Sequence, residues 1–390
     1  MALHPAYAQV AALLTAVTIL TTGNGLLQTL VPLSAAVEGF PQLMLGMIGS
    51  GYFVGMFIGC IACPRIVAHA GHIRAFAAFV AVATVSTLAL PLCVDPIAWI
   101  AIRAVTGFCF AGLYATAESW MHDKAENVMR GQLIAVYQIV QQLGQICGQQ
   151  AIRLASPTAF VLFSLAAGGI ALSVLPLAFT RADPPNPPPV PRLRMVWLYR
   201  ISPVAVIGIL AAGAANGTLW SLLPVFVKLR GFDTGGVATV LTCVILGSAI
   251  VQWPVGRLAD RGDRRIILLV GLALGIAAQA AIVFMPFNSL LLLAALSLLV
   301  GASTLVVYPL CSSHAADLAG REHMVEISSG LLLTYTIGAI VGPTLAAAMM
   351  GFISPEALFI HNGIIHIALA IFVIWRMRMR PLKRSSAPPS

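Results

Sequence analysis

Runs of about 20 apolar residues, the length a helix needs to cross a bilayer, follow one another from end to end of this sequence. Twelve can be marked, at residues 11–33, 43–63, 74–93, 96–119, 132–154, 158–179, 201–227, 235–256, 266–286, 288–313, 325–350 and 355–376. Hydrophobic residues make up 59% of the 390-residue chain and charged residues 9%, against about 25% charged in a soluble domain. With mean hydropathy at +0.94, the surroundings have to be lipid. Inside lipid the backbone must satisfy its own hydrogen bonds, which leaves helices or closed barrels. Barrel strands need only about 9–11 residues, so the runs predict an all-α membrane protein with twelve transmembrane helices.

The basic residues orient these helices. With the N-terminus placed inside, 18 of the 22 Lys and Arg fall on the inner side, three fall outside (Arg153, Lys228, Arg230) and Arg103 lies within the fourth helix. This is the positive-inside bias. It predicts cytoplasmic N- and C-termini in a multi-pass protein of the bacterial inner membrane, and it accounts for the net charge of +9 without nucleic acid. The basic run from Arg376 to Arg384 suits lipid headgroups. No Lys or Arg precedes the first apolar run and no small-residue cleavage site follows it, so a retained helix is expected. Cys60 and Cys63 form a C-x-x-C with no His/Cys pair nearby, which reads as small apolar residues; no metal or cofactor is expected.

The chain also repeats itself. NGLLQTLVPLSAAVEGF (Asn24–Phe40) and NGTLWSLLPVFVKLRGF (Asn216–Phe232) agree at 7 of 17 positions without a gap. At an offset of 194, Gly107 matches Gly301, Tyr114 matches Tyr308, Asp123 matches Asp317, and Gly144 and Gly148 match Gly338 and Gly342. So long a period predicts a duplicated six-helix bundle. Between the copies, RADPPNPPPVPRLR (Arg181–Arg194) carries six prolines and reads as an extended, semi-rigid spacer. The predicted organisation is an N-terminal bundle over 1–180, a cytoplasmic linker over 181–200, a C-terminal bundle over 201–376 and a basic tail over 377–390. Pro32 and Pro224 deny a hydrogen bond to the carbonyls of Gln28 and Trp220. Beside Gly25 and Gly217, they predict breakable first and seventh helices, tolerated in lipid only against protein or a wet cavity. Packing alone is the competing reading.

Between the eighth and ninth helices stands GRLADRGDRR, Gly256–Arg265. Gly256 is expected to permit close helix approach. Asp260 is expected to cap the ninth helix or pair with arginines, and Arg261, Arg264 and Arg265 to hold the loop at the inner face. The first-half counterpart RIVAHAGHIR keeps Gly71 and Arg74 but has His69 where Asp260 stands. This loop resembles the signature loop of the major facilitator superfamily. RAVTG (Arg103–Gly107) resembles its helix 4 motif, whose arginine is linked to proton coupling in some members. GAIVGP (Gly338–Pro343) resembles a motif associated with exporters, which the family places in helix 5; here helix 5 has GQICGQ, with Gln149 in place of proline. Stretches such as LQTLVPL, ATAESW, MRGQLIAVY, QWPVGRLAD and LLTYTIGAIVGP are similar to the YcaD-like branch of transporters. The resemblance implies a midplane site between two halves, lined by helices 1, 4, 7 and 10. It also implies an inner-loop clasp that His69 would weaken or make pH-sensitive.

Residue patterns point to the same cavity. On the fourth helix Arg103, Gly107, Tyr114 and Glu118 share a face. The first helix offers Asn24 and Gln28, the seventh Asn216 and Trp220, and the tenth Ser303, Tyr308 and Ser312. The fifth carries Gln138, Gln141, Gln142, Gln145 and Gln149 on one face, either as interhelical glue or as a polar surface for a hydroxylated or amide-bearing solute. Charges within a membrane helix point to function. Arg103 is a candidate to hold an anionic substrate or bias a proton site, and Glu118 to carry a coupling proton. About 22 Å of helix separates the two, so they do not pair. The expected function is secondary active transport of a small organic solute by alternating access, as proton-coupled efflux by a monomer. Proton-coupled uptake and a non-transporting sensor stand as alternatives. No G-x-x-x-x-G-K-[ST], H-E-x-x-H or G-x-S-x-G pattern is present, so an ATP engine or an enzyme of those classes is not expected.

Overall fold

The computed structural model describes residues 5–124, 130–179, 194–284, 289–319 and 323–379. Its described helices are α1 (Pro5–Val37), α2 (Gln42–Ala70), α3 (His72–Leu92), α4 (Pro96–Lys124), α5 (Arg130–Gln150), α6 (Phe160–Leu172), α7 (Leu175–Ala178), α8 (Met195–Ile201), α9 (Pro203–Leu229), α10 (Thr234–Arg261), α11 (Arg264–Phe284), α12 (Leu290–Thr304), α13 (Val307–Ala319), α14 (Met324–Phe352) and α15 (Ala357–Met379). Eleven segments among the described residues are long and apolar enough to cross a membrane, with α6–α7 and α12–α13 each counting as one. The 21-residue α5 is not among them, because its glutamines lower its hydropathy.

Local chemistry sets the boundaries. Asp233 Oδ1 accepts the Gly236 amide at 2.8 Å to cap α10, and Asp95 Oδ1 accepts the Ala98 amide at 2.8 Å to start α4. The repeated Gly-Phe pair ends α1 and α9 in the same manner. Gly39 and Gly231 take φ of +76° and +85°, a left-handed conformation that glycine adopts without a Cβ clash.

Three boundary expectations need correction. The α1 and α9 helices run unbroken through Pro32 and Pro224. The interruptions fall instead at Ser173–Val174 and at Leu305–Val306. Pro176 and Pro309, four residues after Leu172 and Leu305, cannot donate to those carbonyls. Residues 195–200, assigned to the linker, belong with Ile201 to α8, and α15 extends into the predicted tail as far as Met379.

The packing repeats as the sequence does. In the first half α1 lies on α5 and α2 on α4; in the second, α9 lies on α14 and α10 on α12. Gly148 of α5 lies against the Thr22 carbonyl of α1, and its counterpart Gly342 of α14 lies against the Ala214 carbonyl of α9. At both places a Cβ would collide with backbone. The two sets of helices meet where α2 faces α14 and α5 faces α10, with α1 and α2 also touching α9.

Candidate functional site

A cavity of about 380 Å³ opens between α5, α10 and the interrupted α12–α13 segment. Gln138 and Gln142 reach it from α5, Ser248 and Gln252 from α10, and Leu305, Val306, Tyr308, Pro309, Ser312 and Ser313 from the interruption and α13. Broken backbone at membrane depth is tolerated where it lines such a cavity. No charged side chain is in this lining. Gln142 Nε2 sits 3.5 Å from Gln252 Oε1, a loose contact.

Of the other predicted residues, Arg103, Gln28, Asn24 and Tyr114 form a separate cluster. Arg103 is 3% exposed. Its Nη2 donates to Gln28 Oε1 at 2.9 Å and its guanidinium lies 4.4 Å over the Tyr52 ring. Asn24 Nδ2 donates to Tyr114 OH at 3.0 Å. Asn216 is buried beside Tyr335, and Trp220 packs half-buried against the core; neither reaches the cavity. Glu118 is exposed on α4, within electrostatic reach of Tyr114, Tyr137 and Tyr308. Of the glutamine stripe, Gln149 is 1% exposed, so the stripe divides between packing and cavity.

Aromatic rings connect the two groups. Neighbouring centroids are 5.9 Å apart for Tyr114–Phe110, 6.4 Å for Phe110–Tyr52 and 5.3 Å for Tyr52–Phe53. The chain continues at 6.5 Å for Phe53–Tyr335 and 5.6 Å for Tyr335–Tyr308. Sequence reasoning missed Tyr52, Tyr335, Ser248 and Gln252. Tyr52 and Tyr335 lie on α2 and α14, outside the four helices expected to line the site. A lone tyrosine in an apolar run carries no periodic signal, whereas Gln252 was visible in QWPVGRLAD as a polar break.

At the basic end, Arg264 Nε pairs with Asp317 Oδ2 at 2.6 Å and Arg265 Nη2 with Asp263 Oδ2 at 3.0 Å. Asp263 Oδ1 also accepts the Arg265 amide at 2.9 Å, so Asp263 caps α11. Burial alone would raise the Asp263 carboxyl, but the hydrogen bonds and charge of Arg265 outweigh it and hold the group below the usual carboxylate range. The Asp260 and Arg261 side chains lie outside those described. Gly256 does not serve close approach: a Cβ there would meet no described atom within 4 Å. His69 and Arg74 are exposed. The neighbouring His72 is buried instead, 3.2 Å from Ser119 Oγ.

The far end is shut. Gln150 and Arg153 bond to α10, and Ser50 bonds to Thr344 at 2.8 Å across α2 and α14. The molecule is thus a helical assembly with a polar cavity toward its basic end and closed seams at the other.

Residues 13–244 and 231–390 each match the family model of the Major Facilitator Superfamily. An uncharacterized MFS-type transporter of Yersinia pestis is 27% identical over 379 residues, covering 96% of each chain. The uncharacterized MFS-type transporter YcaD of Escherichia fergusonii is 26% identical over 378 residues, with the same coverage. Among solved structures, the nucleoside transporter NupG superposes with a TM-score of 0.80 at 13% identity, covering 95% of this chain and 100% of that one. A bacterial homologue of the human lysosomal transporter Spinster, in an inward-facing and occupied conformation, gives 0.74 at 14%, covering 98% of each. At such identities these likenesses speak to the fold. By the family match along almost its whole length, the chain belongs to the Major Facilitator Superfamily, as a multi-pass membrane transporter.

Proposed function

We propose that this protein is a secondary active transporter that moves a small, polar, uncharged organic solute by alternating access, driven by protons in the efflux direction. The observation that carries the reading is the cavity of about 380 Å³ with glutamine, serine and tyrosine in its wall and no charged lining residue. Amide and hydroxyl groups offer both donors and acceptors, which suits a hydroxylated or amide-bearing cargo. The aromatic chain from Tyr114 to Tyr308 supports placing Asn24, Gln28 and Arg103 near the same midplane path. Asn216 and Trp220 are proposed to join the path only when the halves re-pack. Glu118, an exposed carboxylate within a span, is the proposed proton carrier, with Arg103 biasing it.

In this reading twelve helices form two six-helix bundles, over 1–180 and 201–376, in a monomer of the inner membrane with both termini cytoplasmic. The cavity then faces the cytoplasm. The paired charges of Arg264, Arg265, Asp263 and Asp317 belong to the clasp of the opposite state, with Asp260, Arg261, His69 and Arg74 in the same loops.

The test begins with a thermal-shift screen of amide- and hydroxyl-rich solutes on purified protein at pH 5.5 and 7.5. A ligand at about 100 times its Kd adds about 2.7 kcal/mol to the folded state. Compounds that stabilise the wild type but not Gln142→Ala are then followed in proteoliposomes under an imposed pH gradient. Gradient-driven movement outward, abolished by Glu118→Gln, is the expected result. Movement inward identifies uptake, binding without movement identifies a sensor, and flux indifferent to the gradient removes the proton coupling.

A further inference from the structure

Two seams close the far end, and the internal repeat makes them equivalent. Adding the offset of 194 to Gln150 of α5 gives Thr344 of α14; adding 192 to Ser50 of α2 gives Thr242 of α10. Both pairs meet across the halves. Gln150 Nε2 donates to Thr242 Oγ1 at 2.7 Å, and the Ser50 and Thr344 hydroxyls share a hydrogen bond of 2.8 Å. The same two positions therefore stitch both seams.

One turn further out the seams part company. The second-half counterpart of Arg153 is Ala347. On the α2–α14 seam Ala347 and the Pro343 carbonyl crowd Gly46 so closely that a Cβ there would collide with both. On the α5–α10 seam Arg153 spans the gap. Its Nε donates to Gln150 Oε1 at 2.8 Å, and its Nη2 donates to the Gly235 carbonyl and to Thr239 Oγ1, each at 2.8 Å. Its Nη1 and the Asp233 carboxylate that caps α10 both lie beside Gly235. These bonds are exposed, so water can replace each at small net cost. Close-packed backbone has no such substitute: parting α2 from α14 forfeits dispersion contacts outright.

We propose that Arg153 is the latch of the far gate: opening starts with its release from α10, while the close-packed α2–α14 seam parts last and acts as the pivot. This rests on the alternating-access reading above. The repeat supplies the argument for asymmetry, since one turn outside the shared side-chain bond one seam carries a guanidinium and the other a methyl group.

The experiment uses the full chain, purified in lipid nanodiscs, with the exposed Cys93 and Cys147 changed to serine. Spin labels at Thr158→Cys and Lys228→Cys report on the α5–α10 seam, and labels at Glu38→Cys and Phe352→Cys on the α2–α14 seam. Pulsed dipolar spectroscopy reads the fraction of molecules with the long, open distance. Arg153→Ala is expected to raise the open-to-closed ratio at Thr158–Lys228 about tenfold, equivalent to about 1.4 kcal/mol. Thr239→Val, which removes the acceptor of one Arg153 bond along with the hydroxyl's own donation to the Gly235 carbonyl within α10, shifts the ratio the same way by less. The Glu38–Phe352 distances change less than the Thr158–Lys228 distances in both. An unchanged ratio in Arg153→Ala while the wild type shows both distances overturns the latch and leaves the transporter reading intact. A single closed distance in every variant overturns both. A larger shift from Thr344→Ala than from Arg153→Ala overturns the asymmetry, and loss of a monodisperse peak in Arg153→Ala makes Thr239→Val the deciding variant.

Discussion

Gly148 and Gly256 show how differently two glycines of one chain can be used. Gly148 brings α5 onto the backbone of α1 at Thr22, whereas a Cβ at Gly256 would meet no described atom. Gly148→Leu is therefore expected to destabilise by at least the roughly 1–3 kcal/mol typical of overpacking. Gly256→Ala is expected to be neutral or to stabilise by up to about 1 kcal/mol, because alanine is the better helix former. Thermal unfolding of the two variants in one detergent checks this; a Gly256→Ala loss matching that of Gly148→Leu would restore the close-approach role. The matching of Gly148 with Gly342 was legible in the sequence because close helix approach leaves few other residues possible. The role of Gly256 was not, since a helix glycine carries the same letter whether the space beside it is filled or empty. The orientation of Arg103 was likewise hidden: its burial depends on Tyr52, which no spacing on α4 reveals.

At the scale of elements, an interrupted helix and a polar one build the cavity. Most spans announced themselves by length and hydropathy. The break at Leu305–Val306 did not, because LVVYPL is as apolar as its flanks and Pro32, Pro224 and Pro309 look alike in sequence. Only the surroundings decide: α1 and α9 continue past their prolines, while α12 stops at Thr304 beside open space. Pro309→Ala restores a backbone N–H to the Leu305 carbonyl and lets α12 run on into α13. Hydrogen exchange over residues 305–310 is expected to slow, and melting temperature to hold or rise. Ligand binding in the cavity is expected to weaken as Tyr308 and Ser312 turn with the helix. Faster exchange in the variant would show that the interruption is set by the cavity wall and not by the proline. The α5 helix was legible for the opposite reason: five amides on one face are too costly in lipid to be anything but an inward surface. Its stripe nonetheless divides, with Gln149 packed away and Gln138 and Gln142 on the cavity.

For the whole molecule, the relevant question is what holds the two halves together. The covalent link runs through the proline-rich stretch from Arg181 to Arg194. The non-covalent links are the α2–α14 and α5–α10 seams together with α1 and α2 on α9. If the seams dominate, the linker adds only the entropy of tethering, which varies slowly with loop length: about 0.6 kcal/mol for each doubling. A protease site inserted between Asp183 and Pro189, cleaved after purification, is then expected to leave both fragments co-eluting at the size of the intact chain. Apparent melting temperature should fall by only a few degrees and become dependent on protein concentration. Solute binding to the cavity should survive, because α5, α10 and α13 meet through the seam and not through the linker. Separation of the fragments under the same detergent would show instead that the tether supplies the effective concentration the seams need. The latch and the pivot would then be features of a weakly held interface, and lengthening the linker alone would open the far gate.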